Sequence, residues 1–325
     1  MAISHPSLQR VGEAAVEGLQ RQDWLEPLAD NLQRAVVAAF RAGGETGRRI
    51  RDVLHGTWLG HPLHPVMTDV PLGAWTVATV LDLAGGDNSR RDRTAEAAIG
   101  IGLAGTVGAA TTGMTDWQHT VAEERRVGLV HGLMNVSATA LYAISLALRL
   151  RGARTAGHTI GGLGFAVALG AAYLGGDLVY RKRIGVDHAP RAGWDDFATA
   201  LPEAELRESL PQRVDVRGVP VVLIRRAGRT YALADSCAHL GGPLSEGQID
   251  DVAIRCPWHG SRFALHDGAV LGGGPSTFPS RALTSAFGPG RSRCVHAGDR
   301  GRKMAKGSAA MTADPLSLRG CGGWI

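Results

Sequence analysis

The chain has 325 residues, of which 44% are apolar and only 5% aromatic, a length that allows two or three domains. The formal net charge is +5, but residues 286–325 hold seven Lys and Arg against two Asp, so this tail accounts for the whole excess. Because the rest of the chain is neutral, it offers no basic face for DNA or RNA, and we expect no nucleic-acid partner.

Residues 1–54 form a predicted N-terminal helical region. Apolar side chains recur near helical spacing between residues 7 and 41, beginning with Val11, Ala15 and Leu19. Such an amphipathic helix can lie on a membrane surface or pack against other helices. Acidic residues interrupt the segment, so it lacks the apolar core of a secretory signal, and we expect membrane entry to come from internal segments.

Four apolar stretches follow, at roughly 66–86, 95–115, 127–150 and 158–180. Each has the length of about twenty residues that a hydrocarbon core of about 30 Å requires. Short charged segments separate them, and they lack the polar stripe that helices of soluble bundles carry. The sequence therefore predicts a four-span membrane domain over residues 55–183, with a soluble helical bundle as the alternative.

Polar residues lie near the ends of these spans. The first and third spans begin on the side where the second and fourth end, so one membrane face should collect His61, His64, Asp69, Asp116, His119, His131, Asn135 and Asp177. Ionisable groups at membrane depth mark functional sites by default. Our hypothesis is a second redox site that binds haem b, another metal or a quinone headgroup, with the candidates His61, His64, Asp116 and His131. The alternatives are a structural polar network and the handling of an ion or small molecule.

The motif that enters the first span is His61-Pro62-Leu63-His64-Pro65. Together with the segment 113–117 (Gly-Met-Thr-Asp-Trp) and His131, it resembles a bacterial family of uncharacterised four-span membrane proteins over about residues 55–180. The resemblance implies a multi-pass protein of the bacterial inner (cell) membrane but supplies no function. Lys and Arg are slightly more frequent on the side of the termini, so the positive-inside rule predicts that the C-terminal half is cytoplasmic.

The pattern changes after a linker at residues 184–200. Short β-type runs at 214–224 and 230–234 flank residues 225–229, whose Gly228 suits a hairpin turn. Gly and Pro then punctuate the chain as far as residue 278, as expected for a small all-β domain over residues 201–285. We therefore expect an α + β multidomain protein in which a four-helix transmembrane bundle precedes a small all-β domain.

Two segments of the β region carry one Cys and one His each: Cys237-Ala238-His239-Leu240-Gly241-Gly242 and Cys256-Pro257-Trp258-His259-Gly260-Ser261. Two such loops can close over one cluster from either side. The soft thiolates of Cys237 and Cys256 would hold one iron, and the imidazoles of His239 and His259 would hold the other and raise its potential. A structural zinc site with two Cys and two His is the alternative, although one residue between Cys and His is a tight spacing for zinc.

These motifs closely resemble those of the Rieske [2Fe–2S] proteins over about residues 201–284, with Gly274-Pro275 as the loop that covers the cluster. Rieske proteins of cytochrome bc complexes carry an extra Cys in each loop, and these form a disulfide. Gly242 and Trp258 stand at those positions here, so the chain resembles instead the Rieske ferredoxins that feed oxygenases.

Two further positions bear on the potential that the resemblance implies. Ser261 is kept, and its hydroxyl can bond to a cluster sulfur, whereas Phe263 stands where a Tyr hydroxyl could add a second such bond. We expect an intermediate-to-low potential within the family range of roughly −150 to +300 mV.

The resemblance implies a membrane-anchored electron-transfer protein with the bilayer and a redox partner protein as its partners. It would pass single electrons between a reductase or other soluble partner and an oxygenase or quinone-linked acceptor. It would be an oxidoreductase component without a substrate-oxidising site, because no room remains for a mononuclear-iron domain. The alternative is a redox or iron sensor or scaffold whose membrane domain is a simple anchor.

Periodic structure is expected to stop after Thr284. Residues 286–325 are rich in Gly, Arg, Ser and Ala and show no periodicity where a final apolar strand is expected. Our hypothesis for this irregular basic tail is a frameshift in the gene or a disordered end.

Overall fold

The computed structural model describes residues 6–84, 89–190, 197–287 and 292–296. The chain divides into two compact units, Met1–Gly185 and Val186–Ile325. All described elements of the first unit are helical, and all described strands belong to the second. The expected fold class, helices able to span a membrane followed by a small all-β domain, is confirmed.

The helical unit begins with three helices, α1 (Pro6–Gln20), α2 (Glu26–Ala42) and α3 (Gly44–His55). The single amphipathic helix expected over residues 7–41 is therefore two helices, with a short 3-10 turn at Asp23–Leu25 between them. These helices pack against the rest of the unit. Val16 of α1 is buried in one cluster with Val127 and Leu174, and Leu25 and Ala29 are buried with Leu129.

Four long helices follow: α4 (His64–Leu83), α5 (Ser89–Trp117), α6 (Ala122–Leu150) and α7 (Arg154–Tyr180). Each is long and apolar enough to cross a membrane. The main partners are α4 with α5 and α6 with α7, while α5 also contacts α6 and α4 contacts α7. Helices α4 and α6 therefore face each other across the diagonal of the bundle.

The hairpins α4–α5 and α6–α7 are two copies of one structure. Pro71, Trp75 and Ala78 are buried in α4, and residues at the same spacing are buried in α6: Ala138, Tyr142 and Ser145. A Gly-x-Gly-x5-Gly-Ala-Ala-x2-Gly pattern in α5 (residues 100–113) recurs in α7 (residues 162–175). The sequence analysis did not identify this repeat, because Gly and Ala are frequent in all packed membrane helices.

The glycines of the repeat make equivalent contacts. A Cβ on Gly102 would meet the ring of Trp75, and one on Gly164 would meet the ring of Tyr142. In the same way, Gly108 lies against Met67, and its counterpart Gly170 lies against Met134. In both hairpins the absence of a side chain on the second helix therefore makes room for a large side chain on the first.

Equivalent residues of α4 and α6 meet one another along the bundle. The rings of Trp75 and Tyr142 stack with centroids 4.2 Å apart. The guanidinium of Arg149 donates two hydrogen bonds of 2.8 and 2.5 Å to the carboxylate of Asp82, which occupies the equivalent position in α4. Contacts between equivalent residues are the signature of two-fold symmetry, so a pseudo-two-fold axis runs along the bundle between α4 and α6.

The second unit contains two antiparallel sheets. Its strands are β1 (Ala198–Pro202), β2 (Gln212–Val216), β3 (Val219–Arg226), β4 (Arg229–Ala234), β5 (Gln248–Asp250), β6 (Ala253–Arg255), β7 (Arg262–Ala264), β8 (Ala282–Phe287) and β9 (Ser292–His296). The larger sheet has the order β1-β9-β8-β4-β3-β2, and the smaller one the order β5-β6-β7.

Strand β3 lies between two hydrophobic cores. Val222 and Ile224 point into one core, together with Phe263, while Val221 and Leu223 point into a second core on the other face. Burial on both faces explains why the strand reads as a continuous apolar run rather than as an alternating one.

The structure differs from the sequence-based expectation in several places in this unit, and β1 begins at Ala198, inside the linker expected at residues 184–200. The run 214–224 is two strands joined by a turn at Arg217 and Gly218, both with positive φ, in which the Gly218 amide donates to Asp215. The tail expected to be irregular from residue 286 contributes β9, which pairs with β8 and β1, so that expectation is wrong for Ser292–His296. Residues 297–325 of the tail lie outside the described residues.

Candidate metal centre

Two loops with the same backbone design carry the predicted cluster ligands. The first ligand loop (residues 237–242) follows β4, and the second ligand loop (residues 256–261) follows β6. In the first, the Cys237 amide donates to the carbonyl of residue 242, and the Cys237 carbonyl accepts from the amide of residue 241. In the second, the Cys256 amide and carbonyl make the same two bonds to residues 261 and 260, with lengths of 2.8 and 3.1 Å.

The fourth residue after each Cys is a glycine with positive φ. Gly241 and Gly260 both have φ of 77°, a left-handed conformation that costs little only for glycine. This conformation turns the chain back so that the carbonyl of each Cys is bonded within its own loop. Each Cys and its neighbouring His therefore lie on a turn that is held by backbone hydrogen bonds within the loop itself.

The two thiols lie together inside the domain. Cys237 and Cys256 are both buried, and their sulfurs are hydrogen-bonded to each other. The hydrogen bond from Cys237 lowers the pKa of Cys256 to about 7, and the backbone amides of Trp258 and His259 act in the same direction. The same shared proton, together with burial, raises the pKa of Cys237. Amides aimed at a sulfur stabilise a thiolate, which is the form that binds metal.

The two imidazoles also lie together, on the less buried side of the loops. The ring centroids of His239 and His259 are 5.0 Å apart, and both rings are half-buried. Burial lowers the pKa of His259 and so favours the neutral ring, which is the form that ligates a metal.

This arrangement fits a cluster of two irons. Two thiols form one pair and two imidazoles form another, so that each iron of a [2Fe–2S] group can take two protein ligands. The pairing of thiol with thiol and of imidazole with imidazole therefore favours the binuclear cluster over the zinc alternative.

A third loop closes over the second ligand loop. The Ser276 amide donates to the Oγ of Ser261, which is almost completely buried, over 3.1 Å. A Cβ on Gly274 would come within 2.4 Å of the Ser261 backbone, so glycine is required where the two loops touch. Because Ser261 accepts from this amide, its own hydroxyl proton remains available for another acceptor.

Residues 187–189 of the linker expected at residues 184–200 lie against the first ligand loop and its surroundings. The His188 amide donates to the Ala238 carbonyl over 3.0 Å, and Ala189 is buried in the core beside the ligand loops. The guanidinium of Arg281 donates to Asp187 over 2.7 Å. The sequence analysis did not identify this support, because the segment carries no strand or helix periodicity.

The polar residues predicted to gather in the membrane domain separate into smaller groups. His61 and Asp69 are exposed, and the His61 ring bonds to the neighbouring Pro62 carbonyl. Asp177 is buried with Arg181 3.6 Å away. His64 and His131 meet on the pseudo-two-fold axis with ring centroids 6.5 Å apart.

Asp116 pairs with a histidine that sequence analysis did not identify. The Nδ1 of His55, at the end of α3, donates to the Asp116 carboxylate over 2.7 Å, and His55 is almost fully buried. The ring of His119 lies 5.3 Å from that of His55. His55 precedes the first apolar stretch by several residues, so the spacing of apolar side chains did not associate it with a membrane span.

Two family models match parts of the chain. Residues 196–282 match the family described as the Rieske [2Fe-2S] domain, and residues 60–188 match the family described as a predicted membrane protein (DUF2231).

Individual relatives are similar to about a fifth of the chain. The 3-phenylpropionate/cinnamic acid dioxygenase ferredoxin subunit of Escherichia coli is 36% identical over 73 residues, which are 22% of this chain and 68% of that protein. Apoptosis-inducing factor 3 of Mus musculus is 32% identical over 71 residues, 22% of this chain, and the chain spans only 12% of the length of that protein.

Among solved structures, the ferredoxin of carbazole 1,9a-dioxygenase from Nocardioides aromaticivorans is 26% identical to this chain. The similarity covers 98% of that ferredoxin and 31% of this chain, with a TM-score of 0.30.

Proposed function

Because the chain belongs to the Rieske [2Fe–2S] family, we propose that it is a membrane-anchored electron carrier whose cluster is held by four residues of the two ligand loops. Cys237 and Cys256 would ligate one iron, and His239 and His259 the other. The observation that carries the proposal is the pairing itself: two buried thiols in contact, beside two imidazoles 5.0 Å apart, on loops with the same backbone bonds.

The [2Fe–2S] cluster is the cofactor of this domain and supplies one-electron chemistry when bound. The four proposed ligands differ in how deeply they are buried. The buried thiols keep water from one end of the site, while the half-buried imidazoles bring the other end close to the surface. A partner docking over His239 and His259 would therefore come closest to the cluster at its imidazole end.

The side chains near the site support an intermediate-to-low potential within the family range. Ser261 has a hydroxyl proton to donate, but Phe263 is fully buried in the apolar core and has no hydroxyl. Each hydrogen bond to a cluster sulfur raises the potential, because it stabilises the more negative reduced state. With one such side-chain donor rather than two, the chain suits transfer to an oxygenase better than oxidation of a high-potential donor.

We propose that α4–α7 hold the carrier in the bacterial cell membrane, with the β domain on the cytoplasmic side. Four helices long and apolar enough to cross a bilayer support this proposal. The relative from Escherichia coli is named as a dioxygenase ferredoxin subunit, which supports an oxygenase as a partner. The electron donor would be a reductase or another soluble protein. The acceptor would be an oxygenase or a quinone-linked membrane protein.

The test is purification of the full-length protein in mild detergent without oxygen, followed by iron and sulfide analysis and EPR after reduction. We expect two irons and two sulfides per chain and the rhombic signal of a Rieske cluster. Cys237→Ala and His259→Ala should abolish the signal. His266→Ala, which changes an exposed histidine of the same domain, is the matched control and should leave the signal intact.

Stopped-flow reduction by an NADH-dependent ferredoxin reductase then tests the carrier role. Rapid reduction, followed by reoxidation by an oxygenase component or a soluble quinone, is the expected result. A cluster that is present but exchanges electrons with none of these proteins would overturn the carrier role.

A further inference from the structure

Two histidines meet on the pseudo-two-fold axis of the membrane domain. His64 begins α4, and His131 occupies the equivalent position in α6, since each lies at the same distance before its stacking partner, Trp75 or Tyr142. Their ring centroids are 6.5 Å apart, and the ring planes are nearly perpendicular, at 87°.

Both histidine rings are held by equivalent contacts. Each packs on a glycine of the second helix of its hairpin: a Cβ on Gly113 would come within 2.7 Å of the His64 ring, and one on Gly175 within 3.1 Å of the His131 ring. Each Nδ1 also donates to the carbonyl one turn earlier in that helix. The distances are 3.0 Å for His64 and the Ala109 carbonyl and 2.8 Å for His131 and the Ala171 carbonyl.

These bonds fix the tautomer of both histidines. A carbonyl oxygen can only accept, so Nδ1 carries the proton and Nε2 carries a lone pair. At His131 the Asn135 amide nitrogen lies 3.2 Å from Nε2, and it also donates to the His131 carbonyl over 3.0 Å, so the amide keeps a partner when Nε2 binds a metal instead. A histidine whose Nδ1 is bonded to a backbone carbonyl is the usual form of a metal-ligating histidine, because the bond orients the ring.

The distance between the His64 and His131 rings shows which kind of bound group the pair can hold. Two imidazoles on opposite sides of one metal atom, with metal–nitrogen bonds of about 2.0 Å, have ring centres on the order of 6 Å apart, close to the observed 6.5 Å. A quinone headgroup bonded through both of its oxygens would need about twice that separation. The pair is therefore suited to a single metal atom.

The number of protein ligands at this point distinguishes between a metal ion and a haem. No third His, Cys, Asp or Glu of the described residues joins His64 and His131 around one point. His61 is exposed, and Asp116 is engaged with His55. Zinc sites use three or four protein ligands, whereas haem iron takes four nitrogens from its macrocycle and needs only two axial ligands.

We propose that His64 and His131 are the two axial ligands of a haem bound on the pseudo-two-fold axis of the membrane domain. One ligand comes from each copy of the repeated hairpin, which explains why this pair is retained in both copies. The haem site does not depend on the function proposed for the β domain, and it narrows the hypothesis of four candidate residues to two.

The test is expression of the full-length protein in cells supplied with a haem precursor, and quantification of haem b in the purified protein as its pyridine complex. We expect about one haem per chain and the sharp reduced-minus-oxidised bands of low-spin iron with two imidazole ligands. His64→Ala and His131→Ala should each reduce haem content at least tenfold. His61→Ala, a change in the same motif but at an exposed ring, should retain it.

Two further variants separate loss of ligation from loss of folding. His64→Met and His131→Met supply another axial ligand, and each should bind haem with a shifted spectrum. The Rieske EPR signal, recorded on the same samples, reports on the β domain independently. Wild-type protein that carries no haem under these conditions would overturn the proposal, as would Ala variants that bind haem like the wild type.

Discussion

The indole of Trp258 lies directly on Gly242. A Cβ on residue 242 would come within 2.8 Å of the Trp258 ring and 3.1 Å of the Sγ of Cys256. The resemblance to Rieske proteins implies that these are the two positions at which the bc-type members of the family carry their disulfide. In this chain the two ligand loops are connected by the packing of the Trp258 ring on the Gly242 backbone rather than by a covalent bond.

This contact predicts that Gly242→Ala impairs cluster binding. The added methyl group must displace either the indole or the Cys256 sulfur, and such overpacking costs about 1–3 kcal/mol. We expect lower iron content and a weaker EPR signal per chain. The double variant Gly242→Ala/Trp258→Ala removes the clash and should recover most of the cluster. Equal loss in the single and double variants would contradict this explanation.

The left-handed glycine of the second ligand loop leads to a second prediction. Nothing lies within 4 Å of a Cβ placed on Gly260, so a substitution there meets no steric clash and pays only for the positive φ of 77°. We expect Gly260→Ala to destabilise the domain by about 1 kcal/mol or slightly more, and Gly260→Val to cost more than that. Gly260→Asn should be the mildest change, because Asn tolerates this conformation. Thermal unfolding of the three variants gives the order.

The ion pair of Asp82 and Arg149 tests the internal symmetry. The Arg149 side chain is only 2% exposed, so Asp82→Asn leaves a buried charge without its counter-charge, at a cost of about 3–5 kcal/mol. Because the two residues occupy equivalent positions, the exchange Asp82→Arg/Arg149→Asp should recover a large part of this loss. Unfolding in detergent measures both. A double exchange no more stable than Asp82→Arg alone would argue against the two-fold relation.

The thiol pair leads to a prediction for the cluster-free protein. The Cys256 pKa of about 7 lies below the ordinary value for a thiol, so this residue is substantially deprotonated at pH 7.5 while Cys237 stays protonated. We expect iodoacetamide to modify Cys256 before Cys237, with a rate at Cys256 that rises with pH and has its midpoint near pH 7. Peptide mass spectrometry distinguishes Cys256 from the other cysteines.

Removing the donor provides the control. In Cys237→Ala the hydrogen bond that stabilises the Cys256 thiolate is absent, so the midpoint should move to higher pH, towards about 8.5. A midpoint that stays near pH 7 in this variant would show that the backbone amides of residues 258 and 259 alone lower the pKa.

The sequence by itself determined the chemistry of the β domain and the class of the membrane domain. The four proposed ligands lie in two loops of six residues, and the bonds that shape each loop join residues at most five positions apart, such as Cys256 and Ser261. Because such bonds are local, their pattern can be read from contiguous residues. The length and apolarity of α4–α7 are likewise local properties, and they follow from the thickness of a bilayer.

Only the tertiary structure decided which distant residues meet. His55 and Asp116, Asp82 and Arg149, and His64 and His131 are brought together by helix packing, and no short-range pattern links the members of these pairs. The repeat became visible through equivalent contacts, because its two copies share mostly Gly and Ala, which report close packing but not a partner. Strand β9 was missed for a related reason: its pairing with β8 and β1 depends on backbone bonds supplied by its neighbours rather than on apolar alternation.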